Sequence, residues 1–338
     1  MRRRRLVGFV AATAVLVGAC GADGTDVPVE RSAAPPTTDA PEAAEPSTTT
    51  TEAPAPAPQQ EPTGEVVTAS AHGVHHEAAS AEELAQRITA AEQAVRDPAT
   101  TGEALFEAGF QQQLLYRQLA RQPEWEPAVL AALPEAYRHA AWANAAARRE
   151  FRSMHSKLGD SLPAWRIVDP VPADELLALY QKAEAEFGVP WQVLAAVNLV
   201  ETGMGRIRGV SVAGAQGPMQ FMPATWAAFG AGGDVNDPHD AIMGAARYLA
   251  HNGGGSGDID NALWNYNHSW KYVQGVKLYA SVMQQDPRTF YGFHQWQVVY
   301  LSTVGDIWLP TGFETHQRVP VTDHLARNPW HHLGTATN

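Results

Sequence analysis

From about Ser80 onward the apolar residues recur every three or four positions, the spacing that lines one face of an α-helix. In the first part of this stretch Leu114, Leu115 and Leu119, then Tyr137, Ala141 and Trp142, carry the pattern. It predicts helices over 81–96, 101–121, 124–131 and 134–157, the first capped by Ser80 with acidic residues behind it. After "LPAWRIVDPVP" a second helical block begins. "PADELLALYQKAEAEFG" has Pro172 near its start and Gly188 past its end, and Pro190 opens "PWQVLAAVNLVE". Further helices are predicted over 223–229, 238–251, 258–266 and 269–285. In the second of these Asp237 is the cap, Pro238 the first helical residue, Asp240 a first-turn acid and Gly253 the stop. Beyond Pro287 the text changes to "WQVVYLSTVGDIWLP", a short β-hairpin turning near Gly305 and Asp306. The last 20 or so residues read as irregular. The expected fold is therefore mainly α: a helical subdomain over 80–165, a second helical domain over 166–286, and a C-terminal hairpin and tail over 287–338.

The first 79 residues read differently. "MRRRR" followed by "LVGFVAATAVLVGA" is a basic start and an apolar stretch too short for a comfortable membrane span, as in a secretory signal over 1–19. "LVGAC" resembles the lipobox of bacterial lipoproteins, which would make Cys20, the only cysteine, a lipidated N-terminus. Two acyl chains anchor durably where one is marginal, so the expected location is the outer side of a membrane, in the cell envelope. From Cys20 to Ala79 the composition is rich in Pro, Ala, Thr and Glu, and cannot bury enough surface to offset its ordering entropy. This stalk would reach about 40–45 Å as a flexible coil. Within it "HGVHHE", with His72, His75, His76 and Glu77, lacks the helical HExxH spacing of a metal site and reads as a solvated polar patch. The formal charge is −12, and four units more negative once Arg2, Arg3, Arg4 and Arg5 leave with the signal, which argues against nucleic acid as a ligand.

Candidate chemistry enters at "AAVNLVETGMG". Leu194, Val197 and Asn198 share a helical face with Glu201, while Val193, Ala196, Leu199 and Val200 make the other sides apolar. A helix that is apolar all round is buried. A carboxylate at its C-terminal end is both desolvated and at the negative pole of the helix dipole, so it should hold its proton unusually tightly, as a general acid must. A surface glutamate, or one paired with Arg206 or Arg208, is the plainer alternative. Downstream, "GVSVAGAQGPMQFMPATWAAFG" carries Ser211, Gln216 and Gln220 on Gly-rich backbone that can approach a ligand closely. "ALWNYNHSWKYV" then places Tyr266 and Asn267 at one helix end and Ser269 as cap of the next.

The order E-T-G, then G-A-Q-G-P-M-Q-F-M-P-A-T-W, then A-L-W-N-Y-N-x-S-x-x-Y-V resembles the lytic transglycosylase domain of the soluble type, a relative of goose-type lysozyme. The likeness covers about 173–285, and the stretch 80–315 is similar to actinobacterial lipoproteins and secreted proteins with this domain. It implies a lysozyme-like helical catalytic domain acting on peptidoglycan, with Glu201 as its single catalytic acid and base. It also implies that Ser211, Met219 and Gln220 line the site and that Tyr266 and Asn267 face the glutamate. Two positions depart from the family pattern: Thr202 follows the glutamate where Ser is common, and AYNAG becomes NYNHS. An ordinary glycosidase uses two carboxylates. In the family's reaction the 6-hydroxyl of N-acetylmuramic acid (MurNAc) attacks its own anomeric carbon, helped by the acetamido group, and leaves a 1,6-anhydro ring. No metal or organic cofactor is implied, and the partners are glycan strands and, through Cys20, a membrane. A muramidase that lets water attack would need a second carboxylate, for which Asp234, Asp237 and Asp240 are available, although capping accounts for the last two. A scaffold that binds cell wall without turnover is the third reading. "GGDVNDP" is half of a calcium loop and lacks the remaining ligands. Trp226 and Trp264 could pack on sugar faces, and Trp296, Tyr300 and Trp308 could flank a groove, but core packing is the default for all five.

Overall fold

The computed structural model describes residues 76–334. The leader, Cys20, most of the Pro/Thr-rich stretch, His72 and His75 lie outside the described residues. Order begins before Ser80: Ala78 is buried, its N–H donates to Gln118 Oε1 at 2.9 Å and its carbonyl accepts from Gln118 Nε2 at 2.8 Å. The side-chain amide of Gln118 thus imitates a neighbouring strand and fixes backbone that composition alone assigned to the stalk.

The first block is α1 (Ala81–Arg96), α2 (Gly102–Arg121), α3 (Glu126–Ala132) and α4 (Glu135–Ser153), with a short 3-10 turn at Pro123–Trp125 before α3. Ser80 caps α1, its Oγ accepting from Glu83 N at 3.2 Å. α4 stops four residues short of the periodicity, where Arg152 Nη1 donates to the carbonyl of His155 at 2.8 Å and turns the chain out of the helix. Two short strands follow, β1 (Ser161–Leu162) and β2 (Arg166–Ile167). The second block is α5 (Ala173–Phe187), α6 (Trp191–Thr202), β3 (Ile207–Arg208), α7 (Pro223–Phe229), α8 (Pro238–His251), α9 (Ile259–Tyr266) and α10 (Trp270–Gln285). Gly188 and Gly203 end α5 and α6 in the left-handed region, at φ 72° and 62°. Ser269 occupies the N-cap position of α10 but makes no side-chain capping bond.

One hydrophobic core runs from Ala78 to Trp296 and draws on both blocks. The seam is α10, which packs on α4 from one block and on α6 from the other. Close approach there depends on Gly275, where an added Cβ would lie 2.5 Å from the Phe151 ring. α6 is covered by α5, α8 and α10 and buries eleven of its twelve residues, as a helix apolar on most of its circumference must.

The C-terminal region holds more structure than a hairpin and tail. α11 (Thr289–Gln295) precedes the hairpin, and α12 (Val321–Arg327) follows it. Both are seven residues long, and unlike the equally short α3 and α7 neither has a proline in its first turn to mark its start. The hairpin is β4 (Val298–Ser302) and β5 (Gly305–Leu309), paired from Val298↔Leu309 to Ser302↔Gly305. Its turn is therefore Thr303–Val304, two residues before the position read from the sequence, and Gly305 begins β5. A last strand, β6 (Val319–Pro320), pairs with β1, and β2 pairs with β3. These ladders enclose a second core that includes Trp165, Ile207, Val298, Tyr300 and Ile307, while Val299 and Trp308 face Phe110 and Leu114 of α2. Both faces of the hairpin are buried. Tyr300, Trp308 and Trp296 are accordingly packing residues, 0%, 2% and 8% exposed.

Candidate active site

α6 delivers Glu201 to the interior one residue before the helix ends, and the side chain is 2% exposed. Burial pushes its carboxyl up to about 8, against a smaller opposing effect from the hydroxyl of Tyr272, which donates to Oε1 at 2.8 Å. Among the described residues neither of the two arginines weighed as partners is paired with Glu201. Arg206 is buried and donates from Nη2 to the carbonyl of His294 at 2.9 Å, and Arg208 sits in β3 opposite Arg166.

The backbone leaves α6 through three left-handed residues, Gly203, Met204 and Gly205, at φ 62°, 60° and 85°. Thr202 holds this reversal, its Oγ1 accepting from Gly205 N at 3.0 Å and donating to Pro218 O at 2.6 Å. Asn198, one turn back, donates to the same Pro218 carbonyl at 2.8 Å and accepts from the hydroxyl of Tyr180 at 2.6 Å. A row of polar side chains on α6 is thereby stitched to the turn 216–221. That turn is closed by Gln216 N to Phe221 O at 2.9 Å and Phe221 N to Gln216 O at 2.8 Å. Gly217, at φ 71°, has no room for a side chain: a Cβ would lie 1.9 Å from the Val235 carbonyl.

Within the turn Gln220 adopts φ 49°, a strained conformation for a residue with a side chain. Its Nε2 donates to Gly217 O at 2.9 Å, which fixes the amide's orientation and leaves Oε1 buried without a partner among the described residues. Such an acceptor is costly to leave unmade and suits a ligand N–H or O–H. Met219 is fully buried, and its carbonyl accepts from the hydroxyl of Tyr266 at 2.6 Å. The Tyr266 and Tyr272 rings lie nearly parallel, 6° apart in plane with centroids 6.4 Å apart. Glu201, Tyr272, Tyr266 and the turn bearing Met219 and Gln220 therefore form one assembly. Asn267 is buried at the C-cap of α9, where its carbonyl accepts from Ser269 N at 2.6 Å. The Oγ of Ser211 accepts from Ala215 N at 3.0 Å and closes its own loop between the exposed Val210 and Val212.

Residues 178–281 match the Transglycosylase SLT domain. This is a lysozyme-like lytic transglycosylase domain, of a kind that acts on peptidoglycan. No curated protein and no solved structure gave a match. The match contains α6 to α9, most of α5 and α10, and every member of the assembly around Glu201.

The SLT segment also contains residues that sequence reasoning left out. Tyr272 is inside the quoted motif, six positions after Tyr266, but a buried hydroxyl on a carboxyl has no signature in spacing. Thr202, counted as a departure, accepts and donates at once, a task its hydroxyl shares with serine. Of the tryptophans, Trp226 packs edge-on against Phe221 with centroids 5.1 Å apart and fills the space beside Gly230 and Gly244, a core role. Trp264 stacks on Trp270 at 5.0 Å, and Trp270 is 56% exposed. Asp237 caps α8 by accepting from Asp240 N at 3.0 Å, and Asp240 accepts from Asp234 N at 3.0 Å and lies beside His239. Asp237, His239 and Asp240 bring potential metal-ligand atoms within 4.8 Å of one another, with these carboxylates already engaged in capping and loop closure. Of the His-rich patch, His76 accepts from Arg87 through its carbonyl and Glu77 pairs with Arg121.

The burial of Glu201 has a consequence for stability. Its folded pKa, about 8, lies above the ordinary 4.5, so the unfolded chain sheds the proton first as pH rises. Folding should lose stability from pH 4.5 to 8 on this account and change no further above that. Glu201→Gln keeps an acceptor for Tyr272 and removes the penalty, so the variant should be more stable than wild type by roughly 2–4 kcal/mol at pH 7, with the gap closing near pH 4. Denaturant melts of both proteins across that range check this; a gap independent of pH would contradict it.

Proposed function

We propose that the protein is a peptidoglycan lytic transglycosylase that cleaves the β-1,4 bond between MurNAc and N-acetylglucosamine and leaves 1,6-anhydro-MurNAc ends. The observation that carries this reading is the buried carboxyl of Glu201, aimed by one hydrogen bond and pushed by burial up to about 8. In the first step the carboxyl proton passes to the glycosidic oxygen as the bond from that oxygen to C1 of MurNAc breaks. In the second, the carboxylate takes the proton of the MurNAc 6-hydroxyl while O6 bonds to C1, which restores the acid. Atoms balance without water, and attack from within the same sugar has a large proximity advantage. One carboxyl serves both steps, so no second acid is needed.

The surrounding residues supply positioning. The unpartnered Oε1 of Gln220 suits the N–H of the acetamido group. Tyr272 fixes the rotamer of Glu201, and its hydrogen bond stabilises the carboxylate formed between the two steps. Tyr266, through Met219, holds the Gln220 turn in register with them. The exposed ring of Trp270, backed by Trp264, offers a flat apolar face for a sugar.

Purified protein incubated with peptidoglycan should release muropeptides whose masses are one water below the reducing-end forms. Glu201→Gln should lower release by about 100-fold or more with an unchanged circular dichroism spectrum. Reducing-end products would replace this reading with hydrolysis, and full activity in the variant would remove Glu201 from the chemistry.

The same reading places the enzyme on the outer face of a membrane, tethered through a lipid on Cys20 at the end of a long stalk, where it remodels cell wall. Cys20→Ala should move the protein from the membrane pellet to the soluble fraction; an unchanged membrane fraction would refute the anchor.

A further inference from the structure

α9 ends at Tyr266 and α10 begins at Trp270, so the short turn 267–269 joins them. A helical side chain leans towards the N-terminus of its own helix. Trp270, the first residue of α10, therefore lies back over this turn and meets Trp264 of α9, with centroids 5.0 Å apart and ring planes 26° apart. The inner ring, Trp264, packs against the core. The outer ring, Trp270, is more than half exposed, and the exposed His268 stands edge-on to Trp264 at 5.8 Å.

This stack lies outside the assembly around Glu201. Trp264 is two residues before Tyr266 on α9, and Trp270 is two before Tyr272 on α10, a rotation of about 200° in each helix. Tyr266 and Tyr272 are buried and face one another beside the acid. The same two helices are thus bridged twice, by the tyrosines on the inner side and by the tryptophans on the outer side. Across α10 the two sides are about one helix diameter apart, roughly 10–12 Å.

The rim of the stack selects its occupant. Asn261, Trp264, Asn265 and His268 follow the spacing of one helical face, so neutral amides and an imidazole flank the indoles. Asn265 and His268 are positions where NYNHS departs from AYNAG, which makes this rim particular to the chain. The adjacent ammonium of Lys271 is engaged with Ser153 O at 2.7 Å. A tryptophan offers about 150–250 Å² in all, against about 800 Å² per partner in a stable protein interface, and a membrane-binding face combines several large apolar residues with basic ones. A pyranose ring matches in size and chemistry: its C–H face suits the electron-rich face of an indole, and its hydroxyl and acetamido groups meet the amides and imidazole at the edge. We propose that the Trp264–Trp270 stack is a sugar-binding site outside the cleavage assembly, which takes one ring of a glycan strand on the open face of Trp270 and holds the strand during turnover at Glu201. For the identity of the strand this rests on the peptidoglycan reading above. A strand held at two points gains through effective concentration, since engagement of the second point becomes intramolecular.

The test uses the full chain carrying Glu201→Gln and the soluble tetramer of N-acetylglucosamine, titrated calorimetrically. Saturable binding is expected, weakened about fivefold or more by Trp270→Ala and largely kept by Trp270→Phe, with circular dichroism unchanged in both. In the chain with Glu201 intact, Trp270→Ala should raise KM for peptidoglycan strands by about fivefold or more with a smaller change in kcat. The two readings fail separately. Trp270-dependent binding without anhydro products from wild type removes the cleavage reading and keeps the sugar site; anhydro products with binding and KM unaltered by Trp270→Ala remove the sugar site and keep the cleavage reading. Absence of saturable tetramer binding, or a dimer in sedimentation equilibrium that Trp270→Ala dissolves, would also overturn the proposal.

Discussion

A carboxyl group kept in an apolar interior with a tyrosine hydroxyl as its neighbour is the constraint on which the rest of this structure turns. To take Glu201 out of water, α6 must be covered on every side, so its sequence is mostly apolar around the buried stripe of Asn198, Glu201 and Thr202, and its neighbours α5, α8 and α10 pack it closely. The same burial makes the neutral form of the acid the stable one near pH 7. The energetic cost of keeping it there is borne by the whole core, including the first helical block, which reaches the site through the packing of α4 on α10.

Polar groups in such a place are tolerable only when they are paired, and nearly all are. Asn198 and Thr202 lie on the same stripe of α6 as Glu201, and both bond to Pro218 O. Tyr266 bonds to Met219 O one residue later. The two tyrosines face one another in parallel, one fixed to the acid and the other to the turn. Among the described residues of this turn, Gln220 Oε1 is buried and unmatched, on a residue held at positive φ. Strain and an unmet acceptor at a single position are a local cost to folding, and they fall in the turn that is tied to α6 beside Glu201.

Much of this was legible from residue order. The all-round apolar character of 190–200 predicted the burial of Glu201, and Pro172, Pro190, Asp237 and Gly188 marked helix ends within a residue or two because capping is local chemistry. Tyr272 was not legible as the partner of Glu201, since the contact joins α10 to α6 across the core and spacing cannot show which hydroxyl meets which carboxyl. For Ser211 the motif implied a lining role, and the structure adds that its Oγ closes a local loop, a bond that spacing alone does not show. α11 and α12 escaped because, unlike the equally short α3 and α7, they have no first-turn proline, and the docking of Ala78 escaped because it rests on one distant glutamine.

The most direct measurement is a titration of Glu201 itself. Carbon-13 NMR of the side-chain carboxyls of glutamate-labelled protein, with Glu201→Gln used to assign the resonance, reads its protonation state as a function of pH. The account predicts a midpoint near 8, with the neutral carboxyl predominating at pH 7. A midpoint in the ordinary range near 4.5 would mean that water reaches the group in the folded protein and that burial does not set its chemistry.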